Sequence, residues 1–494
     1  MKRTTPKKLI RRRLLRWGLF IGLAGVLFYF FSPGDGNETK VWHSVILSEE
    51  FTEAKLGSVR TFNEYRQLEE RLFLELEEKV YKQTDTGKAF ELCRYSMGST
   101  VNSQHTLPNW NKSFELPSDS PSGGVLLLHG MSDSPYSLRG MAETLNQRGY
   151  YVIGLRLPGH GTVPSGLKNL KWEDMAAAVQ LATQHLKVKI GSQPLHIIGY
   201  STGASLALNY TLDALEGTVS PVPAALVFIS PAIGISAAAG LAGVKDWLSS
   251  FPGFGNMAWL AIQPEFDPYK YNSFATNAAY QVHRITRAMS DRIATLSKNN
   301  PPEKFPPLLI FQSAVDATVS VSAVVDRLLI PLKSQKHELV LFDINRLASQ
   351  SSLMVPSTAL PVNGLMEDRT LPFVLNLITN ESTESTAVVE IRKVPGASKH
   401  AEIIPLNLNW PAGVVSLSHV ALPFSPDDHL YGQYPPDDSS TIFLGQMALK
   451  GEYNMLKIPV NLLLRLRYNP FYEFLESRAV KWVDSSSGLN STQH

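Results

Sequence analysis

The sequence predicts an α/β fold in which a mostly parallel, doubly wound sheet is covered by helices on both faces. Short apolar segments alternate with helical segments from residue 123 onward. Within the apolar segments polar and apolar residues do not alternate, which is typical of strands buried on both faces. Of the 494 residues, 44% are hydrophobic and 18% are charged, a composition that indicates a globular protein.

The predicted strands and helices follow one another in a regular order. The predicted strands are Gly124–Gly130, Tyr150–Arg156, Pro194–Gly199, Ala224–Ser230, Leu308–Gln312 and Glu338–Ile344. The predicted helices between them are Leu138–Arg148, Trp172–Val188, Thr202–Leu215 and Ser320–Leu332. Because parallel strands need a crossover connection, usually a helix, this alternation predicts a parallel sheet.

Other segments precede or interrupt this alternation. Apolar residues at three- and four-residue spacing predict a lead-in helix at Thr61–Gln83, and strand-like runs follow near Phe90–Met97 and Trp110–Leu116. Residues 233–306 and 345–415 separate predicted strands, and we interpret both as insertions on the sheet scaffold. Two short strand-like runs lie in the second insertion, near Ala387–Val394 and Ile403–Leu406.

The charge is distributed unevenly along the chain. Residues 1–16 hold eight basic residues and no acid, so the remainder carries a net charge of −6 against +2 for the whole chain. A mildly acidic body argues against nucleic-acid binding, which needs a basic patch. The single cysteine, Cys93, excludes an intramolecular disulfide, a zinc ribbon and an iron–sulfur cluster.

The basic cluster precedes an uncharged apolar run from Trp17 to Phe31. Leu14 and Leu15 extend this run, so residues 14–31 are predicted to be a single-pass signal anchor in a membrane. Basic residues before the run predict a cytoplasmic N-terminus and a body on the opposite, periplasmic or extracytoplasmic side. A cleaved signal peptide and an organellar targeting segment are the alternatives.

The main candidate for a catalytic motif is the pentapeptide Gly199-Tyr-Ser-Thr-Gly203, which lies between a predicted strand and a predicted helix. A serine in this G-x-S-x-G context occupies a tight turn that exposes its Oγ atom at the edge of a sheet. The N-terminus of the following helix directs N–H groups and a positive dipole end toward a developing oxyanion. These features predict that Ser201 is a nucleophile.

A second segment, Leu126-Leu-Leu-His129-Gly130-Met131, ends an earlier predicted strand. A chain that leaves a strand through His-Gly can direct the next backbone N–H toward the substrate of the nucleophile. We therefore expect the N–H groups of Met131 and Thr202 to form an oxyanion hole. His129 is expected to anchor the loop.

With these motifs the sequence resembles the α/β-hydrolase superfamily, and more narrowly its monoacylglycerol-lipase and serine-aminopeptidase-like branch. The resemblance rests on the Ser201 turn, on His129-Gly-Met-Ser-Asp-Ser-Pro135 and on Leu157-Pro-Gly-His160-Gly-Thr162. It implies a cap between the sixth and seventh strands, where residues 233–306 lie. It also implies the chain order serine, acid, histidine for a catalytic triad.

The acid of this order should follow the next core strand, Leu308–Gln312. Asp316 is the only carboxylate near the end of that strand, and it is predicted to orient the histidine and stabilise the imidazolium. Asp343 is the alternative, although it falls within a strand pattern.

The histidine is predicted to be His419, which follows the apolar segment Val414-Val-Ser-Leu-Ser. An ordered apolar segment can deliver a general base to a defined position. The other histidines that follow the proposed acid are His337, His400, His429 and His494. Compact family members carry this histidine soon after the last strand, whereas residues 345–415 intervene here.

The predicted organisation has seven parts. They are the basic segment and anchor (1–32), the linker and lead-in helix (33–87), the first part of the hydrolase core (88–232), the cap (233–306), the second part of the core (307–344), an insertion (345–415) and the C-terminal core segment with the histidine (416–494). No cofactor or metal is expected, because the sequence has no dinucleotide motif, P-loop or metal-ligand spacing.

These parts predict a membrane-anchored serine hydrolase that cleaves carboxylic esters of apolar acyl chains, as a carboxylesterase, monoacylglycerol lipase or lysophospholipase does. Apolar and aromatic residues in the cap favour a lipid-like ester as the small-molecule partner. One alternative is a serine aminopeptidase, in which Glu265 and Asp267 would bind an α-ammonium group. Another is a non-catalytic, membrane-tethered interaction protein.

Overall fold

A computed structural model describes residues 38–105, 108–234, 255–299, 304–347, 361–396, 401–436, 442–445 and 465–488. The predicted membrane segment at residues 14–31 lies outside these ranges. No helix within them has the length and apolar character needed to cross a membrane.

Ten strands of the described chain form one sheet, and two short strands form a separate pair. The strands are β1 Phe114–Leu116, β2 Gly124–Leu128, β3 Tyr151–Leu155, β4 Leu195–Tyr200, β5 Ala225–Ile229, β6 Trp259–Ala261, β7 Phe274–Ala275, β8 Leu308–Ser313, β9 Glu338–Phe342, β10 Val374–Asn380, β11 Ala387–Lys393 and β12 Glu402–Asn409. The sheet order is β1-β3-β2-β4-β5-β8-β9-β10-β11-β12, and β6 pairs with β7. The strands from β3 to β10 are parallel in this order, while β1, β11 and β12 run antiparallel to their neighbours.

Helices cover the sheet on both faces, as the unbroken apolar strands predict. The long helices are α1 Phe62–Lys79, α2 Arg139–Gln147, α3 Trp172–Ile190, α4 Thr202–Leu215, α5 Thr276–Asn299 and α6 Tyr472–Ser486, and the short ones are Val41–Ser44, Gly166–Asn169, Val321–Val324, Ile330–Leu332 and Pro361–Glu367. Leu126 and Leu128 of β2 pack in one core with α1, α3, α4 and α5. Val125 and Leu127 of the same strand pack in a second core with α2 and α6. Successive side chains of one strand therefore enter opposite cores, and both must be apolar.

The lead-in helix α1 is attached to the sheet by a buried charge cluster. Arg156, which follows β3, donates from Nε to Glu69 Oε1 of α1 at 2.7 Å. Its Nη2 donates to Glu50 Oε1 at 3.0 Å. The arginine and Glu69 are 1% and 2% exposed, and removing one member would leave a buried charge unpaired. Residues ahead of the sheet are thus part of its folded structure.

Two sequence expectations differ from the structure. Residues 90–97 do not form a strand, because the Arg94 N–H donates to the Glu265 carbonyl at 2.8 Å and the Tyr95 hydroxyl donates to the Thr162 carbonyl at 3.0 Å. The segment predicted as an insertion at residues 345–415 contains β10, which the sequence analysis missed. All seven residues of β10 are buried, and β10 extends the parallel sheet beside β9.

His337 immediately precedes β9 and is fully buried. Neither ring nitrogen has a hydrogen-bond partner, and the ring of Phe305 meets the imidazole edge-on at 5.7 Å. Burial lowers the pKa of His337 to about 4, because the apolar surroundings penalise the charged ring.

Protonation of His337 is expected to make stability depend on pH. The pKa of this group is lower in the folded state than its ordinary value of 6.5, so the unfolded state binds the proton first as the pH falls. The free energy of unfolding should be highest above about pH 6.5 and should decrease toward pH 4. His337→Leu should reduce this loss by about 2 kcal/mol between pH 7 and pH 5, measured by urea unfolding at pH 7, 6 and 5. His429→Ala, which removes an exposed histidine, is the control, and equal pH profiles for both variants would contradict the prediction.

Candidate active site

Ser201 occupies the turn between β4, which ends at Tyr200, and α4, which begins at Thr202. Its backbone has φ 52° and ψ −116°, a conformation that is strained for a residue with a side chain. The turn is held by hydrogen bonds from Ser201 N–H to the Ile229 carbonyl at 2.9 Å and from Ala232 N–H to the Ser201 carbonyl at 3.1 Å. Both partners belong to β5 or the segment after it, so the neighbouring strand fixes the serine.

The two glycines of the motif permit the close approach that this turn requires. A Cβ atom at Gly199 would lie 2.5 Å from Ala204 N and Cα. A Cβ atom at Gly203 would overlap the Leu128 carbonyl oxygen at the end of β2. The G-x-S-x-G spacing therefore allows α4 to pack directly against the ends of two strands.

Gly203→Ala is expected to lower the free energy of unfolding by about 3 kcal/mol or more, because the added methyl group would displace backbone atoms of β2. Urea unfolding of the variant and wild type measures the difference. Gly57→Ala is the control, since no atom lies within 4 Å of the added Cβ, and its stability should change by less than about 0.5 kcal/mol. Equal stability of the two variants would contradict the described packing.

Ser201, His419 and Asp316 form one hydrogen-bonded sequence. His419 Nε2 lies 3.2 Å from Ser201 Oγ, and His419 Nδ1 lies 3.0 Å from Asp316 Oδ2. Because a carboxylate only accepts, Nδ1 carries the imidazole proton and Nε2 is free to accept from the serine hydroxyl. The other oxygen of Asp316 accepts from the N–H groups of Thr318 at 2.8 Å and Val319 at 3.0 Å, which fixes the carboxylate.

His419 begins a short 3-10 turn, His419–Ala421, and its side chain is 5% exposed. The ring of Tyr200 lies 5.4 Å from the imidazole, and the tyrosine hydroxyl donates to the His419 carbonyl at 3.4 Å. The Asn469 N–H, just ahead of α6, donates to the Phe424 carbonyl at 2.8 Å. His419 is thus positioned by Tyr200 and by the C-terminal segment.

Met131 and Thr202, the predicted oxyanion-hole residues, both line the cleft beside Ser201. Their N–H groups have no acceptor among the described residues. His129 donates from Nδ1 to the Gly130 carbonyl at 2.9 Å and accepts from the Leu157 N–H at Nε2, at 3.1 Å. This neutral imidazole holds the peptide group that carries the Met131 N–H, as expected of a residue that anchors the loop.

The alternative acid and bases lie elsewhere or outside the described ranges. Asp343 is fully buried and accepts from Arg346 Nε at 2.6 Å and from the Thr379 hydroxyl at 2.7 Å. His429 is exposed and lines a different pocket. His400 and His494 are outside the described residues, and His337 is at the opposite end of β9 from the cleft.

Ser201 and His419 open onto a cleft with a volume of about 990 Å³. Its apolar lining comes partly from the predicted cap, through Phe274, Ala279 and Val282, and partly from Val319 and Val321 after β8. The sequence analysis missed the charged lining residues, which are Asp133, Lys270, Asp326, Arg327 and Arg465. No periodicity or motif marks them, since they lie on separate loops and turns.

Glu265 and Asp267 do not line this cleft. Glu265 is 2% exposed and accepts from the N–H groups of Asn272 and Ser273 of its own loop. Burial raises its pKa to about 7, so it is a weak partner for an ammonium group. Asp267 accepts from the Tyr431 hydroxyl at 2.6 Å. Within the described ranges, no group of three or more His, Cys, Asp or Glu could hold a metal ion.

The fold and this site together define a class of α/β proteins that carry a serine on a strand–turn–helix element. The serine contacts a histidine, and the histidine contacts an acid. A family model described as "Alpha/beta hydrolase family" matches residues 125–343. The chain is 30% identical to the "Thermostable monoacylglycerol lipase" of Bacillus sp. (strain H-257) over 199 residues, which are 40% of this chain and 71% of that relative. The chain therefore belongs to the α/β-hydrolase family, in its monoacylglycerol-lipase-like branch, which confirms the resemblance inferred from the motifs.

Another relative matches a smaller part of this chain, and a solved structure matches with lower sequence identity. The "Magnesium-chelatase 30 kDa subunit" of Rhodobacter capsulatus is 38% identical over 120 residues, which are 24% of this chain and 40% of that relative. A crystal structure of a monoacylglycerol lipase from Paleococcus ferrophilus has a TM-score of 0.35 and 16% identity, over 47% of this chain and 88% of that chain.

Proposed function

We propose that the protein is a serine hydrolase that cleaves carboxylic esters of apolar acyl chains, in the manner of a carboxylesterase, monoacylglycerol lipase or lysophospholipase. The observation that carries the proposal is the hydrogen-bonded sequence from Ser201 through His419 to Asp316, at 3.2 and 3.0 Å. Membership of a family with an esterase and lipase branch supports it.

The proposed reaction transfers an acyl group to water in two steps. His419 Nε2 takes the hydroxyl proton while Ser201 Oγ attacks the ester carbonyl, and the N–H groups of Met131 and Thr202 hold the resulting oxyanion. His419 then gives its proton to the departing alcohol oxygen, which leaves an acyl-enzyme. Water repeats the sequence, releasing the carboxylic acid and restoring the serine. Asp316 holds the imidazole tautomer and stabilises the imidazolium in both steps.

The preference for an apolar acyl chain is supported by the side chains near the nucleophile. Phe274, Val282, Val319 and Val321 line the cleft, and its volume of about 990 Å³ lies in the range of small-molecule sites. The relative from Bacillus is named a monoacylglycerol lipase, which agrees with an acyl chain of this kind.

We also propose that residues 14–31 anchor the chain in a membrane, with the N-terminus in the cytoplasm and the hydrolase body on the opposite side. The eight basic residues in 1–16 and the uncharged run that follows support this. Removal of residues 1–37 should move the protein from the membrane fraction to the soluble fraction. A full-length chain that is already soluble without detergent would contradict the anchor.

Hydrolysis of an ester panel tests the proposed activity. We expect the purified full chain to cleave p-nitrophenyl and monoacylglycerol esters, with a preference among chain lengths, and to react with a fluorophosphonate probe at Ser201. Aminoacyl p-nitroanilides in the same panel represent the peptidase alternative, whose expected ammonium-binding residues lie outside the cleft. Failure of the folded protein to hydrolyse any ester or to react with the probe would favour a non-catalytic protein.

A further inference from the structure

Charged side chains line the cleft that opens onto Ser201, and some of them are already paired. Asp316 contacts His419 Nδ1 at 3.0 Å, and Asp133 Oδ2 lies 3.5 Å from Lys270 Nζ. The remaining charged residues of the lining are Asp326, Arg327 and Arg465, all exposed. In the part of the chain that the structure describes, neither arginine has a carboxylate partner. Among the described residues of the lining, these two arginines are therefore the cationic groups that remain available to an anionic ligand.

Arg465 lies at the end of the cleft that holds the proposed acid and base. Its Nη2 donates to the Thr318 hydroxyl at 3.2 Å, and the Thr318 N–H donates to Asp316 Oδ1 at 2.8 Å. Val420, the residue after His419, also lines the cleft. One threonine thus separates the guanidinium group from the carboxylate that orients the base.

Arg327 lies at a different place on the same wall. The segment from Asp316 to Arg327 runs along the cleft, and at its far end Arg327 Nη1 is 3.6 Å from the position that a Cβ atom on Gly234 would occupy. Gly234 follows β5 and Ala232, whose N–H contacts the Ser201 backbone. The two arginines have the same charge and exposure but different neighbours, so each is a control for the other.

The proposed reaction places the alcohol part of the substrate on the same side of the cleft as Arg465. His419 protonates the departing alcohol oxygen, so the alcohol part of the ester lies on the His419 side of Ser201. A group carried by that alcohol therefore lies nearer to Arg465 than the acyl chain does. A guanidinium group can donate two parallel hydrogen bonds to the oxygens of a phosphate or carboxylate. The low-dielectric walls of a cleft strengthen the electric field of such a charge.

We propose that the preferred substrates are esters whose alcohol part carries an anionic group, a phosphate or a carboxylate, and that Arg465 binds this group. The inference rests on the proposed ester hydrolysis by Ser201 and specifies its substrate class. A neutral monoacylglycerol offers no charge to Arg465 and is the poorer substrate.

Three esters with the same octanoyl chain test the inference: 1-octanoylglycerol 3-phosphate, O-octanoyl glycolate and neutral 1-octanoylglycerol. The full-length protein is expected to show a kcat/KM at least about 10-fold higher for one or both anionic esters. Preference for the phosphate ester alone assigns a phosphate, and preference for both assigns anions in general. Arg465→Gln should lower kcat/KM for the anionic esters about 10-fold and change that for the neutral ester less than about twofold. Arg465→Lys, which keeps the charge, should recover part of the loss.

Two further variants complete the design. Arg327→Gln should affect the anionic esters less than Arg465→Gln does. Arg369→Gln removes an exposed arginine ahead of β10, at the opposite end of the sheet from the cleft, and should behave as wild type.

Several results would overturn the inference. Equal kcat/KM of wild type for neutral and anionic esters would do so, and so would an equal loss for all three esters in Arg465→Gln, which would indicate a structural role. A loss confined to Arg327→Gln would place the anionic group of the alcohol at Arg327 and refute its assignment to Arg465. Hydrolysis of none of the esters by wild type would count instead against the proposed ester hydrolysis itself.

Discussion

Ser201→Ala is expected to lower the turnover of monoacyl esters by at least about 10³-fold, and by up to about 10⁶-fold if the triad acts as a unit. The hydroxyl is the only side-chain group in the proposed mechanism that bonds to the acyl carbon, so no neighbouring side chain replaces it. Steady-state hydrolysis of a p-nitrophenyl ester and labelling by a fluorophosphonate probe measure the loss.

Ser205→Ala is the matched control for this variant. Ser205 lies one turn further along α4, is buried, and donates its hydroxyl to the Ala232 carbonyl at 2.6 Å. Its loss should lower stability by about 1 kcal/mol without removing the nucleophile. If Ser201→Ala kept most of its activity while Ser205→Ala also remained active, the nucleophile would have to be another residue.

His419→Ala is expected to produce a loss of similar size, because the serine hydroxyl then has no base at 3.2 Å and the departing alcohol has no acid. The substrate affinity should change little, so the loss should appear in kcat.

His429→Ala is the control for the histidine assignment. His429 is close to His419 along the chain but exposed, and it lines a different pocket. Its activity should remain within about twofold of wild type. An inactive His429→Ala beside an active His419→Ala would refute the proposed base. Asp316→Asn should lower turnover by about 10⁴-fold, less than the upper value of about 10⁶-fold expected for Ser201→Ala and His419→Ala, because it disturbs only the tautomer and the charge of the imidazolium.

The sequence predicts those parts of the fold and of the candidate site that are marked by a pattern within one short segment of the chain. Unbroken apolar runs predicted the central strands, since both faces of each strand enter a core. Ser201, Met131 and Thr202 were marked by strand-to-helix and strand-to-loop contexts that are contiguous in the chain. Asp316 followed from the order of elements after a recognised strand.

Other features depend on contacts between distant segments, which no local pattern reports. The strand β10 is preceded by a helix of only two turns, Pro361–Glu367, which has no clear amphipathic pattern in the sequence, so its place beside β9 could not be inferred from alternation. The Asp133–Lys270 contact joins the loop after β2 to the loop before β7. Arg465 reaches the cleft only because the segment before α6 folds against the turn that begins at His419. Charged residues on separate loops follow no sequence periodicity, so the sequence does not predict that they lie close together.

The wide separation of the three triad positions along the chain has a consequence for folding. Ser201 and His419 are 218 residues apart, and Asp316 and His419 are 103 residues apart, with the β10–β12 strands between the acid and the base. Contacts of such long range form late, because loop closure must come first. During refolding from urea, recovery of catalysis should therefore lag behind recovery of the far-ultraviolet circular dichroism signal. Recovery of turnover therefore indicates that the distant segments have come together in the folded structure. The circular dichroism signal indicates only that the helices have formed.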